Sequence, residues 1–324
     1  MENEKFLVIG ALGCIGAWVV RNLIREGVPT AIFDQASDPR RLRLIMSEEE
    51  LARVQVLTGD ISDLNAVEGA LKDTGTTHVI HLAALQVPFC KADPSLGARV
   101  NVVGTVNIFE AAKRSGLRRV VYASSAAVYG ISEDYPEGPL GHDAPLHPQT
   151  HYGVYKQANE GTARVYWRDN GISSIGLRPY VVYGPGRDQG LTSSPTTAML
   201  AATLNQPYQI PFGGRFDLQF ADDVAQAFIR AARVPFDGAD VFNLRGSVVH
   251  IREIVAAIEA AVPTMRGQFS FKDVPLGFPE EMDGTPLLSV LGSLPQTPLA
   301  EGIATTITTF QRALADGRLA PRLP

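Results

Sequence analysis

Short apolar runs alternate with amphipathic segments along the first 178 residues. The runs have the length of buried strands and lie at residues 6–9, 29–33, 54–57, 79–84, 119–123 and 172–177. Between them, helical spacing of apolar positions predicts helices at about 18–24, 40–51, 63–71, 94–115 and 150–170. Strands that alternate with helices form a parallel sheet covered on both faces. We therefore expect an α/β fold with a doubly wound parallel sheet.

Three glycines spaced three residues apart follow the first strand and open the first helix. Gly10, Gly13 and Gly16 would turn the chain and let a pyrophosphate approach backbone N–H groups at the positive end of the helix. A ligand-free tight turn is the alternative interpretation. The strand before, the helix after and an acid further on together favour a dinucleotide site, and so a Rossmann-like sheet.

The acid is Asp34, which ends the second predicted strand 18 residues beyond Gly16. A carboxylate there accepts hydrogen bonds from the adenosine ribose and repels a 2′-phosphate, so NAD is favoured over NADP. Arg40 and Arg41 follow closely and could serve a 2′-phosphate, but we interpret them as solvated arginines that open a helix.

The pattern changes beyond Arg178, where glycine and proline interrupt the chain repeatedly. We predict an NAD-binding domain at 1–178 and a smaller C-terminal substrate-binding domain at 179–324, with about 216–245 returning to the first. The polar stretch 131–147 is predicted to be a surface loop that shapes the substrate site.

Composition narrows the class of protein. The chain has 324 residues, 45% hydrophobic and 19% charged, which suits one large or two modest globular domains. A net charge of -5 without a basic cluster argues against a nucleic-acid partner. No apolar run has membrane-spanning length and the start lacks a basic signal sequence, so we expect a cytoplasmic protein with no membrane partner. Two cysteines are too few for a disulfide framework or a metal cluster, and no metal is expected.

Tyr152 and Lys156 lie four residues apart on the long predicted helix, so both side chains leave the same face. If this helix packs beside the fifth strand, they approach Ser124 and Ser125 at its end. A nearby ammonium favours the phenolate, so Tyr152 could take a proton from a substrate hydroxyl while Ser125 fixes the same oxygen. A solvated Tyr–Lys pair is the alternative, and the glycine turn and the serines argue against it.

These motifs together resemble the extended short-chain dehydrogenase/reductases of the NAD-dependent epimerase/dehydratase family. The resemblance covers nearly the whole chain and implies an NAD-dependent enzyme, a homodimer, and catalytic roles for Ser125, Tyr152 and Lys156. It also implies that Asp60 and Ile61 contact adenine and that Asn101 is structural. The full set of cofactor-binding residues expected from it is Gly10, Gly13, Cys14, Ile15, Gly16, Asp34, Asp60, Ile61, Leu82, Ala83, Ala84, Asn101, Ala123, Tyr152, Lys156, Tyr180 and Val182.

The resemblance also limits the types of reaction that we expect. Dehydratases and decarboxylases of this family carry acids just after the catalytic Ser or Thr, where this chain has Ala126 and Ala127. The reaction type that remains is oxidation of a sugar carbinol. In an epimerase this oxidation is transient and passes through a keto intermediate. In a dehydrogenase of a free sugar, sugar acid or lactone it is the net reaction. The serine motif most resembles that of sugar 4-epimerases. A non-catalytic dinucleotide sensor is less favoured, because Tyr152 and Lys156 are both retained.

The substrate end departs from nucleotide-sugar epimerases. Phe216 stands where those enzymes have an arginine, Arg215 is displaced by one residue, and 275–284 carries three acids and no arginine. An acidic loop would repel a diphosphate, which favours a free sugar, sugar acid or lactone. His81 and His151 are predicted to be structural. The candidate substrate-binding residues are Gln86, Ser124, Ser125, Arg187, Thr192 and Arg215.

Overall fold

The structure is a computed structural model that describes residues 4–324. Its strands are β1 (Phe6–Ile9), β2 (Thr30–Asp34), β3 (Gln55–Thr58), β4 (His78–His81), β5 (Arg119–Ala123), β6 (Ser173–Arg178), β7 (Val181–Tyr183), β8 (Tyr208–Ile210), β9 (Arg215–Phe220), β10 (Ala239–Asn243), β11 (Ser247–His250) and β12 (Phe269–Phe271). Its α-helices are α1 (Cys14–Arg25), α2 (Arg40–Ile45), α3 (Glu48–Leu51), α4 (Leu64–Thr74), α5 (Val87–Ala92), α6 (Pro94–Ala98), α7 (Gly104–Arg114), α8 (His151–Asn170), α9 (Ser194–Thr203), α10 (Ala221–Arg233), α11 (Ile251–Ala261), α12 (Thr285–Leu291) and α13 (Leu299–Ala315).

Seven strands form the main sheet in the order β10-β6-β5-β4-β1-β2-β3, and every pairing in it is parallel. The chain builds outward from β1 in one direction and then from β4 in the other, so the strand order reverses between these two neighbours. Ligands of doubly wound sheets bind at the carboxyl ends of the strands at such a switch point. The predicted fold class is confirmed, and the switch point lies directly beside the glycine turn.

Alternate residues of β1 are buried on opposite faces of this sheet. Phe6 and Val8 belong to a core shared with α1, α9 and α10, whereas Leu7 and Ile9 belong to a core shared with α4, α7 and α8. All four side chains are at most 1% exposed. A strand covered on both faces is apolar throughout, and this is the pattern that the first run of the sequence shows.

The C-terminal part contributes two small sheets, β11-β9-β7 and β12-β8. It also returns to the main sheet, because β10 pairs with β6 and α10 packs against α1. The division into domains at residue 178 stays a prediction. Within residues 4–324, no helix has both the length and the apolar character needed to cross a membrane.

Two long helices expected from the sequence are interrupted. The segment 94–115 contains a π-helical turn at Arg99–Val103 between α6 and α7. Buried Asn101 explains this, because its side chain binds both the N–H and the carbonyl oxygen of Leu85 at 2.7 and 2.9 Å. The segment 40–51 divides at Ser47, which caps α3 in a reciprocal capping box. The predicted helix at 94–115 is therefore confirmed with a π-helical turn inside it, whereas the single helix predicted at 40–51 was wrong.

A test of the glycine turn follows from the packing of Gly16. A Cβ on Gly16 would lie 2.6 Å from both the Cα of Ala11 and the carbonyl oxygen of Gly10, which are backbone atoms that cannot turn aside. We expect Gly16→Ala to lower the free energy of unfolding in urea by about 1–3 kcal/mol. The matched control is Gly69→Ala on α4, where a Cβ meets nothing within 4 Å. There alanine should be neutral or stabilising by up to about 1 kcal/mol. Equal stability of the two variants would contradict the close packing of α1 on the turn.

Candidate active site

A cleft of about 600 Å³ opens at the carboxyl ends of the main-sheet strands. One side is formed by the glycine turn and the ends of β2 and β3, and the other by residues after β4, β5 and β6. The long helix α8 contributes its first turns to the floor, and the segments 187–192 and 276–278 contribute the far wall. The cleft therefore has a long shape that spans the switch point.

The three glycines have separate roles in this cleft. Gly10 has a φ of +80°, and a Cβ on it would lie 2.4 Å from the backbone nitrogen of Ala83. Gly16 lets α1 pack on the turn. Gly13 precedes α1, and a Cβ there would meet only the carbonyl oxygen of Gly10, at 3.2 Å. The N-terminus of α1 is therefore open to an anionic group, as a pyrophosphate requires.

Asp34 faces the cleft at the end of β2. Its carboxylate accepts hydrogen bonds from the backbone N–H groups of Leu12 and Ala36 at 3.0 and 3.1 Å, which fixes its position beside the turn. Arg41 also lines the cleft, and its guanidinium is held by Asp188 at 2.6 Å and by the carbonyl oxygen of Leu12 at 2.8 Å. The interpretation of Arg41 as a solvated residue was wrong. Because Arg41 is already neutralised by Asp188, it is poorly suited to a 2′-phosphate, which agrees with NAD.

The other predicted cofactor residues divide into two groups. Asn101 lies outside the cleft, where it holds the Leu85 backbone. The remaining members line the cleft, and beyond those already described they are Cys14, Ile15, Asp60, Ile61, Leu82, Ala83, Ala84, Ala123, Tyr152, Lys156, Tyr180 and Val182. A dinucleotide lying along these residues would reach from Asp34 at one end to the start of α8 at the other.

Tyr152 and Lys156 lie on the first turns of α8, and Lys156 Nζ is 5.6 Å from the centre of the Tyr152 ring. Burial raises the pKa of Tyr152, while a side-chain hydrogen bond with Ser125 and the charge of Arg187 act in the opposite direction. Thr150 caps α8 by accepting a hydrogen bond from the Gly153 N–H at 3.1 Å. The helix therefore begins where it brings the phenol and the hydroxyl of Ser125 together.

Lys156 is 2% exposed and donates a hydrogen bond of 2.6 Å to the carbonyl oxygen of Ala123. Burial lowers its pKa to about 8, although the nearby Cys90 and Glu160 favour the charged form. This hydrogen bond anchors the Lys156 amine to β5. The position of α8 is thereby fixed relative to the serines at the end of that strand.

A buried polar network, which the sequence did not reveal, supports this arrangement. Glu160 lies one turn beyond Lys156 and forms a two-pronged ion pair with Arg178 at 2.9 and 2.8 Å; the two side chains are 0% and 4% exposed. Ser124 donates a hydrogen bond of 2.5 Å to the same carboxylate. Arg178 also contacts Tyr129, whose hydroxyl donates to Asn243 at 2.7 Å. The network thereby joins α8, β5, β6, β10 and the loop after β5.

This network changes the expected role of Ser124. It borders the cleft, as the prediction of a substrate contact requires, but its hydroxyl proton is donated to Glu160, so the predicted contact with substrate stays a prediction. Arg215 is exposed at the start of β9 and is not among the residues that line the cleft, so the structure does not bring it to the other predicted substrate residues. Phe216 is fully buried against Phe212.

Gln86, Arg187 and Thr192 form one cluster on the far wall. Arg187 donates to the Thr192 hydroxyl at 2.8 Å and to the Gln86 side-chain oxygen at 3.4 Å. Leu276 and Phe278 complete this wall and were not predicted. The acidic residues of the same loop lie farther out, and Glu281 is paired with Arg245 at 2.5 Å.

Both histidines lie outside the reactive group. His81 is buried, and its Nε2 is 3.0 Å from the Thr105 hydroxyl. Burial lowers its pKa to about 3, which keeps it neutral. His151 is exposed at the start of α8. Among residues 4–324, no group of three or more His, Cys, Asp or Glu side chains could hold a metal ion.

The model of the NAD dependent epimerase/dehydratase family matches residues 6–244, which is most of the chain. The chain belongs to this family. The predicted membership is thus confirmed, and so is the prediction that the protein is an NAD-dependent enzyme. The cleft fits that cofactor, because Gly13 leaves the N-terminus of α1 open and Asp34 stands where the ribose would lie.

Individual relatives cover the whole chain. The UDP-glucose 4-epimerase of Mycolicibacterium smegmatis is 34% identical over 316 residues, which are 95% of this chain and 98% of that protein. The UDP-glucose 4-epimerase of Azospirillum brasilense is 26% identical over 341 residues, covering 96% and 93%. The crystal structure of Thermus thermophilus UDP-glucose 4-epimerase complexed with NAD is 27% identical with a TM-score of 0.79, covering 95% of this chain and 99% of that one.

The burial of Lys156 predicts a pH-dependent contribution to stability. The folded protein releases this proton near pH 8, whereas the unfolded chain keeps it up to its ordinary pKa of 10.5. Between these values the unfolded state binds more protons, so the contribution of Lys156 to the free energy of unfolding rises with pH. We expect the free energy of unfolding of wild type, measured in urea, to rise relative to that of Lys156→Met across this pH window. A difference that stays constant with pH would contradict the lowered pKa.

Proposed function

We propose that the protein epimerises a sugar or a sugar-like polyol by oxidising one carbinol to a ketone and reducing it again. The observation that carries this is that Tyr152 and Ser125 line the same cleft as the glycine turn, with Ser125 close enough to act on the pKa of the phenol and lower it. This arrangement brings a proton acceptor and a hydroxyl donor to one point, as oxidation of a carbinol requires.

In this mechanism Ser125 holds the reacting oxygen, and Tyr152 removes its proton in the first half-reaction and returns it in the second. The Lys156 ammonium, anchored on Ala123, favours the phenolate. NAD supplies the chemistry that the side chains lack, since it accepts and returns a hydride. Ala126 and Ala127 offer no acid to protonate a leaving hydroxyl, so elimination is disfavoured.

A net dehydrogenase is the second candidate. In an epimerase the ketone must turn while it stays bound, which calls for a strong anchor away from the reacting carbon. Of the cleft-lining cations in residues 4–324, Arg41 is neutralised by Asp188 and Lys156 serves the phenol. Arg187 alone remains for substrate, so a ketone held there could leave before reduction.

Tyr152→Phe tests the proton transfer. We expect kcat to fall by about 10²- to 10⁴-fold, since the phenyl ring keeps the packing but cannot move a proton. The matched control is Tyr155→Phe, because the Tyr155 hydroxyl donates to the carbonyl oxygen of Pro94 and does not line the cleft. Product epimers and NADH absorbance are measured together. Epimers without net NADH support the first candidate, and accumulation of NADH supports the second. Normal turnover by Tyr152→Phe would remove the basis for both.

We also propose a homodimer. Six large apolar side chains are exposed on the neighbouring segments α5, α6, the π-helical turn and α8, namely Val87, Phe89, Leu96, Val103, Val154 and Val165. An apolar surface of this kind is typical of an interface.

Light scattering should therefore give twice the monomer mass, and Val154→Glu should shift the measured mass towards that of the monomer. Val274, which is 57% exposed against 46% for Val154 and lies outside these segments, supplies the control variant Val274→Glu, which should leave the mass unchanged. A monomeric wild type would contradict the proposal.

A further inference from the structure

We propose that Arg187 binds a carboxylate of the substrate, and that the enzyme acts on free polyhydroxy acids in preference to nucleoside diphosphate sugars. This inference rests on the proposed hydride chemistry and assigns its substrate class. It is carried by the hydrogen bonds of one arginine and by the distribution of charge along the cleft.

Arg187 is a cation that has no acidic partner among residues 4–324. A guanidinium has five N–H donors, and the protein engages two of them through the neutral acceptors Thr192 and Gln86. Its Nε is buried and has no acceptor within residues 4–324. The adjacent Asp188 does not compensate it, since that carboxylate is bound by Arg41 at 2.6 Å. The planar fork of Arg187 is therefore available for an anion, and a carboxylate matches it in geometry.

The position of Arg187 indicates a small substrate. Arg187 lines the same cleft as the Tyr152 phenol and the glycine turn, and its charge acts on both Tyr152 and Cys14. An anion bound there would be part of the reacting molecule itself or only a short distance from its carbinol.

The cleft offers few cations to a diphosphate. The far wall that Arg187 shares with the apolar Leu276 and Phe278 has no other cation among the described residues, and Arg215 does not line the cleft. Arg245 is already bound to Glu281 at 2.5 Å. The charge of Glu280 reaches Tyr180, whose hydroxyl is buried with no partner among the described residues. Two phosphate charges would meet apolar and acidic groups there.

The first experiment measures binding to the NADH-loaded enzyme by calorimetry, so that it does not depend on turnover. The compounds are D-glucuronate, D-galacturonate and D-gluconate, with D-glucose and D-galactose as neutral controls and glucose 6-phosphate, UDP-glucose and UDP-glucuronate as phosphate-bearing controls. We expect at least one free acid to bind more tightly than every neutral sugar and every phosphate-bearing compound.

The second experiment compares Arg187→Gln and Arg187→Lys with wild type. Loss of a charge-assisted hydrogen bond should weaken binding of the preferred acid by about 10- to 100-fold in Arg187→Gln. The affinity of Arg187→Lys for this acid should lie between those of wild type and Arg187→Gln, since an ammonium keeps the charge but not the planar fork. NADH affinity should stay the same. An equal loss of NADH affinity would assign Arg187 to the cofactor and overturn the inference.

The two proposals fail differently. If no free acid binds in an Arg187-dependent manner, or if binding requires the uridine diphosphate, the substrate class is wrong while the hydride chemistry can stand. If a free acid binds through Arg187 and neither epimers nor NADH form from it, the substrate site is supported and the proposed reaction is contradicted.

Discussion

The ion pair between Glu160 and Arg178 is the constraint on which the active site depends. Two charges with exposures of 0% and 4% are costly to bury, and they are tolerated because each is satisfied several times over. Glu160 accepts from Ser124 and from two guanidinium nitrogens, while Arg178 also reaches Tyr129. Because the pair joins α8 to β5 and β6, it fixes the helix that carries Tyr152 and Lys156 against the strand that ends in Ser125.

The same network connects the two parts of the chain. Asn243 ends β10, the strand that returns from the C-terminal part, and its side chain accepts from Tyr129 and donates to the carbonyl oxygen of Leu140. The loop after β5 is thereby tied both to the main sheet and to the catalytic helix. A change in the C-terminal part thus has a direct polar route to the reactive group, without any displacement of the glycine turn.

Much of the fold and part of the site could be predicted from the sequence, for reasons that particular residues show. Apolar runs predicted β1, β2, β4, β5 and β6 because these strands are largely buried, whereas β3 is a mostly exposed edge strand and β10 was not predicted as a strand. Gly10 and Gly16 were recognisable because their roles depend on local backbone geometry. Asp34 was recognisable because strand length places it at the edge of the sheet. In each of these cases the signal lies within one strand, turn or helix.

The features that could not be predicted depend on partners distant in sequence. Glu160 resembles any solvated helical acid until Arg178 is placed beside it. Arg41 was misjudged because its partner Asp188 is 147 residues away, and the π-helical turn within the helix at 94–115 was not foreseen because Asn101 binds a loop. One signal was available: Glu160 continues the four-residue spacing of Tyr152 and Lys156 along α8, so its side chain shares their buried face.

Burial in the cleft pushes both members of the reactive pair towards their neutral forms. It raises the pKa of Tyr152 and lowers that of Lys156, so the phenolate and ammonium that the chemistry needs are disfavoured by desolvation alone. Four neighbours act in the opposite direction: Ser125 and Arg187 on the pKa of the phenol, and Cys90 and Glu160 on the pKa of the amine. The oxidised nicotinamide would add a further positive charge beside the phenol. The site is thus balanced so that ionisation of Tyr152 is coupled to occupation of the cleft, which limits proton transfer to the assembled complex.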